Sequence, residues 1–274
     1  MKLHFYGTGA SEGFPALFCQ CENCARARKL GGKNIRTRAS LGVDEELLID
    51  FSQDTYSHCL YGGLDLTKIR HVLITHSHSD HFCPADIANI LPPMAVTEPD
   101  RILHVYGNAT VTDRLDSILR RFPESAGKMR LHRIRAFDRF AAGEYEITAL
   151  RADHMETEES LLYVIQGGGK TFLYGQDSAM FPEETWQALK DFRFDCVLLD
   201  CTSVNRPHHF RTHMSFEDNL SIKRRMEEEE MAGDGTIFIA THFVHTFAPF
   251  HERLTKIFSP YGFVAAYDGM EIEF

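Results

Sequence analysis

Ile74-Thr75-His76-Ser77-His78-Ser79-Asp80-His81 places four metal-ligating side chains within six positions. The stretch comes directly after the short apolar run at 71–75, so it falls in a loop at the C-terminal end of a strand. In extended backbone, alternate side chains share a face, which lets His76 and His78 point the same way. A turn at Ser79 then swings Asp80 and His81 toward a second point. Imidazole suits Zn, Mn, Fe or Ni, and an adjacent carboxylate favours harder divalent ions. A merely exposed histidine loop would not concentrate these types directly behind a buried-looking strand.

Working outward, similar β-branched or aromatic runs recur at 3–6, 47–51, 103–106, 145–150, 161–165, 171–174, 196–200 and 236–240. Helical patterns lie between them. Residues 110–122 carry Val111, Leu115, Ile118 and Leu119 at helical spacing. Residues 182–192 open with proline and two glutamates, as helix N-termini do, and 215–232 start at a capping serine and stop before Gly233. The glutamate run at 227–230 reads as a solvated helix face. Strands interspersed with helices predict an α/β or α+β protein of layered sheets flanked by helices. Without repeats or a linker rich in Pro, Gly or Ser, residues 1–274 read as one domain.

The composition, 43% hydrophobic and 25% charged, supports a sizeable core. A formal net charge of −10 argues against broad capture of long nucleic acid. No apolar run approaches the ~18 residues of a membrane span, and no leader pattern opens the chain. Seven cysteines, with Cys19, Cys21 and Cys24 tightly clustered, fit metal ligation in a reducing cytoplasm better than a disulfide framework. Cys59, Cys83, Cys196 and Cys201 have no ligand spacing and read as core or turn residues.

The pattern His76-x-His78-x-Asp80-His81 resembles the signature of the metallo-β-lactamase superfamily, whose fold is a four-layer αββα sandwich. That resemblance implies three further ligands, each following a strand: His154 in Arg151-Ala152-Asp153-His154, Asp177 in Gly175-Gln176-Asp177, and His242 in Ala240-Thr241-His242. His76, His78 and His154 would hold one divalent ion, Asp80, His81 and His242 the other, with Asp177 between them. Asp50 matches a family aspartate that braces the site, though a strand-end turn residue reads equally well.

The segment Gly7-Thr8-Gly9-Ala10-Ser11-Glu12-Gly13-Phe14-Pro15, followed by Cys19-x-Cys21-x-x-Cys24, resembles the phosphoribosyl 1,2-cyclic phosphate phosphodiesterase branch. By that resemblance His245 completes a structural zinc site with the three cysteines. His213, in Arg211-Thr212-His213, becomes the candidate general acid or phosphate contact. Asp80 and His213 are the candidate catalytic residues, while His208 and His209 read equally well as loop surface. Tyr267-Asp268-Gly269-Met270-Glu271-Ile272 resembles the closing strand of the same branch.

The implied activity is hydrolysis of a small, cyclic phosphodiester by a hydroxide held between two divalent ions (Zn, Mn, Fe or Ni). Two such cations outweigh two aspartates and leave a pocket suited to an anionic phosphate. The expected partner is a small phosphorylated substrate, with no membrane and no long nucleic acid; a homodimer stays open. A tRNA 3′-processing nuclease shares the motif but carries a basic, glycine-rich arm that this sequence lacks. A β-lactam or thioester hydrolase, or a binding protein that kept the fold, are the remaining alternatives. Two features depart from the family: no glycine follows the motif at Phe82-Cys83-Pro84-Ala85, and residues 82–101, with Pro92-Pro93 and Pro99, are long enough to suggest a substrate-covering loop.

Overall fold

A computed structural model describes residues 1–205 and 211–274, without the side chains of 124–126. His208 and His209 therefore lie outside the described residues. The first six strands are β1 (Lys2–Gly7), β2 (Ser40–Val43), β3 (Leu47–Ile49), β4 (His71–Leu73), β5 (Leu103–Gly107) and β6 (Met129–Arg133). The chain then builds a second sheet from β7 (Arg139–Ala142), β8 (Tyr145–Arg151), β9 (Leu161–Gly167), β10 (Lys170–Gly175), β11 (Cys196–Asp200), β12 (Ile237–Thr241) and β13 (Phe263–Ala265). It returns to the first sheet as β14 (Met270–Glu273), beside β1. Each sheet has seven strands, ordered β14-β1-β2-β3-β4-β5-β6 and β13-β12-β11-β10-β9-β8-β7. Strands β3 to β6 run parallel, and so do β10 to β13. Their C-terminal loops thus emerge along common edges.

Three apolar layers hold the sheets and helices together. Leu41, Ile49, Leu73, Tyr163, Phe172 and Leu198 fill the space between the sheets. Alternate residues Leu48, Val72 and Val105 face outward and pack on α3 (Pro84–Ile87) and α4 (Ala109–Leu119). On the other side Val197, Phe238 and Ala240 meet α5 (Glu183–Leu189), α6 (Phe216–Glu228) and α7 (His251–Phe258). Strands buried on both faces explain their near-continuous apolar sequences. The result is the expected αββα sandwich.

Helix boundaries follow capping chemistry. Asn108 accepts from the Val111 N–H and so starts α4 at Ala109, one residue ahead of the sequence expectation. Ser215 and Asp218 form a reciprocal capping box at the head of α6. Gly7 ends β1 where a Cβ would stand 1.8 Å from the Arg38 carbonyl oxygen, so only glycine fits this close approach. The first half of the segment 82–101 folds as α3 and a short 3₁₀ turn, with Ile87, Ala88 and Leu91 buried against the first sheet, and residues 91–101 form a loop. None of its residues lines the cleft described below.

Candidate active site

Side chains from five strand-end loops converge at one edge of the sandwich. His76 Nε2 lies 2.9 Å from His78 Nδ1, and His154 Nε2 lies 3.2 Å from the same nitrogen. Both Nε2 atoms stand 3.6 Å from Asp177 Oδ2. Beside this nest, His81 Nε2 and His242 Nε2 each lie 3.0 Å from an oxygen of Asp177, and 3.5 and 3.7 Å from Asp80 Oδ2. Asp177 thus belongs to both groups. A cation held tetrahedrally at 2.0–2.2 Å has ligand atoms roughly 3.4 Å apart. The observed spacings bracket that edge length.

The chemistry of the donor set also fits cations. His81 Nε2, His242 Nε2 and Asp177 Oδ1 are buried without a hydrogen-bond partner, a costly arrangement unless positive charge sits among them. Burial alone would push the Asp80 and Asp177 carboxyls up. The imidazoles of His81 and His242 hold both well below the usual carboxylate range instead. Burial opposes charge on His81, yet the surrounding carboxylates, Asp177 foremost, raise it well above its ordinary value.

The imidazoles of His76, His81, His154, His213 and His242 are each oriented through Nδ1. The Asp50 carboxylate accepts from His81 Nδ1 at 2.7 Å, from the Thr75 N–H at 2.9 Å and from the Tyr174 hydroxyl at 3.1 Å. Thr75 Oγ1 donates to Asp50 at 3.0 Å and lies 3.0 Å from His76 Nδ1. Asp50 therefore braces one histidine in each nest, directly or through a hydroxyl. Asp200, at the end of β11, repeats the arrangement. Its carboxylate lies 2.8 Å from His213 Nδ1 and accepts from Thr202 Oγ1 at 2.8 Å, while Thr202 Oγ1 is 2.8 Å from His242 Nδ1. His154 Nδ1 faces the Thr212 carbonyl at 3.3 Å. These contacts leave the opposite nitrogens to ligate.

Asp50, Asp177 and His242 all adopt left-handed backbone, with φ of 61°, 55° and 61°. Such conformations cost about 1–3 kcal/mol each in non-glycine residues and concentrate at functional sites. All three stand at or just beyond a strand end, where the kink turns the side chain back across the edge.

His213 reaches the same cleft, its ring stacked on His242 at 5.5 Å and edge-on to His154 at 4.9 Å. Burial disfavours its cation, but the Asp200 carboxylate outweighs that and raises it to about 9. The cleft, about 320 Å³, is walled opposite the histidines by Ala10, Ser11, Glu12 and Val244. Glu12 lies in the loop whose Ser11 carbonyl accepts from Arg38 Nε at 3.0 Å, and Arg38 itself is paired with Asp54.

The cysteine cluster closes as expected around His245, whose Nδ1 lies 3.9, 3.9 and 3.4 Å from the sulfurs of Cys19, Cys21 and Cys24. The Cys24 N–H, at the start of α1 (Glu22–Leu30), donates to Cys21 Sγ and lowers that thiol to about 6. Ligand atoms at this spacing suit a closed tetrahedral Cys3His zinc site. Cys196 and Cys201 are buried, and Cys59 and Cys83 half-buried, away from this cluster.

The structure gathers His76, His78, Asp80, His81, His154, Asp177, His242 and His213 at one cleft and Cys19, Cys21, Cys24 and His245 at a second cluster. Sequence reasoning missed Asp200, Thr202 and Glu158. Asp200 carried one readable signal, an aspartate closing an apolar strand as Asp50 does.

The sequence model of the Beta-lactamase superfamily domain matches residues 46–243, and the chain belongs to that superfamily. With this fold and donor set, it is a metal-dependent hydrolase. Among solved structures it is similar to a diphosphatase of the PhnP family, at 25% identity and a TM-score of 0.74, covering 100% of this chain and 96% of that one. It also shares the fold of zinc-bound PqqB from Methylobacterium extorquens (16% identity, TM-score 0.70, 100% of both chains). Human tRNase Z, short form, shares it too (16% identity, TM-score 0.68, 100% of this chain and 99% of that one). No curated protein matches the sequence. Among the described residues no helix is long and apolar enough to cross a membrane.

Proposed function

We propose that the protein is a phosphodiesterase acting on a small, cyclic phosphodiester, with two divalent ions in the His/Asp nests and one structural zinc at the Cys3His cluster. The observation that carries this reading is His213, held by Asp200 2.8 Å away at the edge of paired ligand nests. His76, His78, His154 and Asp177 would hold one ion, and Asp80, His81, His242 and Asp177 the other. Ions bound there supply Lewis acidity and a water of lowered pKa. His213, protonated near neutral pH, donates a proton to the oxygen that leaves phosphorus or bonds a phosphate oxygen. Asp200 accepts from Nδ1 and fixes the plane of that ring, leaving Nε2 to give the proton, and Thr202 ties its position to His242.

The similarity to a PhnP-family diphosphatase favours a second reading, cleavage of a diphosphate. Against it stands Glu12, an acidic residue in the cleft wall whose side chain has no hydrogen bond or ion pair among the described residues. A fixed negative charge there disfavours the added charge of a diphosphate relative to a diester. Turnover by the metal-loaded protein should be measured on bis(p-nitrophenyl) phosphate, ribose cyclic phosphates and nucleoside diphosphates. Metal-dependent hydrolysis of the cyclic diesters is expected. If no phosphodiester is cleaved, the reading fails.

A further inference from the structure

Between His76 and His78 the backbone of Ser77 is gripped from both sides. Its N–H donates to Glu158 Oε1 at 2.7 Å, and its carbonyl accepts from Arg114 Nη1 at 3.1 Å. Glu158 Oε2 accepts in turn from Asn108 Nδ2 at 3.2 Å. Asn108 also donates to the Glu159 carbonyl at 2.7 Å and caps the helix that carries Arg114. Glu158 sits on the same excursion as His154, a loop closed by the Ala152 N–H donating to the Ser160 carbonyl at 3.0 Å.

Three ligands of one nest are therefore linked through one carboxylate. The orientation of the Ser77 peptide sets the direction of both His76 and His78. A charge-assisted bond from its N–H, opposed by a guanidinium on its carbonyl, stops it rotating. Glu158 returns that constraint to the loop bearing His154. In the second nest the His81 backbone is held only by main-chain bonds, its N–H to the His78 carbonyl and its carbonyl to the Phe51 N–H, and among the described residues no charged side chain grips a peptide between its ligands.

We propose that Glu158 is a positioning residue for the metal nest of His76, His78 and His154, pre-organising it through Ser77 so that this nest retains its ion selectively. The inference rests on the two-cation reading of the site and holds whichever phosphate ester is hydrolysed. Partners of ligating groups typically contribute 10–100-fold in metal affinity.

The test is a Mn²⁺ titration of Glu158→Ala, Glu158→Gln, Arg114→Met and the wild type, followed by chelator competition and electron paramagnetic resonance. In Glu158→Ala one of two Mn²⁺ equivalents should weaken by roughly 10–100-fold, and the spin-coupled pair signal should give way to a mononuclear one. Arg114→Met should shift the same equivalent by less. Glu158→Gln keeps an acceptor for the Ser77 N–H and should recover most of the affinity. Zinc at the Cys3His cluster should stay at wild-type stoichiometry, which separates this effect from misfolding. Equal weakening of both equivalents, or none in Glu158→Ala, overturns the proposal while leaving the two-cation reading intact. A wild type that takes up no paired Mn²⁺ overturns both.

Discussion

The Asp200 carboxylate lies 2.8 Å from His213 Nδ1, and through Thr202 it also reaches His242. One buried aspartate thus fixes the proposed proton donor and a candidate metal ligand in a common frame. His213→Ala should lower kcat by about 10²-fold or more on diesters with alkoxide leaving groups. With p-nitrophenolate, which departs without a proton, the loss should be several-fold smaller. Steady-state kinetics on the two substrate types check this; equal losses would make His213 a phosphate contact instead.

Glu12→Gln removes the unpaired carboxylate from the cleft wall. The ratio of kcat/KM for diphosphates to that for cyclic diesters should rise by roughly tenfold, as one unfavourable interaction of ~1.4 kcal/mol is lifted. Competing the two substrates in one reaction reads the ratio directly.

Cys21 is exposed and fills no core space, so Cys21→Ser tests ligation without disturbing packing. Zinc content should fall by one equivalent, and stability by at least about 2 kcal/mol. At roughly 2–4 °C per kcal/mol, Tm should fall by 4 °C or more, measured by calorimetry alongside elemental analysis.

His58 gives the fold an acid sensitivity of its own. It is buried on α2 (Thr55–Tyr61), its Nε2 2.9 Å from Thr37 Oγ1, and burial pushes its imidazole down to about 4. The unfolded chain takes up a proton near pH 6.5 while the folded chain refuses it until about pH 4. Stability from this group is therefore full above pH 6.5 and falls as pH drops toward 4, by about 2 kcal/mol at pH 5. Urea titrations at pH 7 and pH 5 should show a smaller difference in His58→Gln than in the wild type.

Much of the site was legible because ligands of this fold stand at strand ends, where an apolar run breaks into a polar loop. His76 to His81 announced themselves by density; His154, Asp177 and His242 needed the family pattern to be told from ordinary loop residues. Asp200, Thr202 and Glu158 could not be picked out in that way. Each is a single polar residue whose partner lies far off in sequence, so no local spacing marks it. The same limit hid β2, a run buried throughout with no alternation, and β6 and β7, whose side chains are partly exposed and mixed in polarity. In the long segment 82–101 the prolines do mark a loop, but Ile87 and Leu91 anchor its first half to the sheet, which its length alone did not reveal.

His242 and His245 lie three residues apart, one in each ligand group, with Phe243 between them hydrogen-bonded to Thr8 and Ala10. Whatever metal drives hydrolysis, its nest shares a short backbone segment with a thiolate cage. If zinc fills that cage and manganese or iron the nest, a cell starved of zinc would dim this activity with the other metal in plenty, and the enzyme would answer to two nutrient supplies at once.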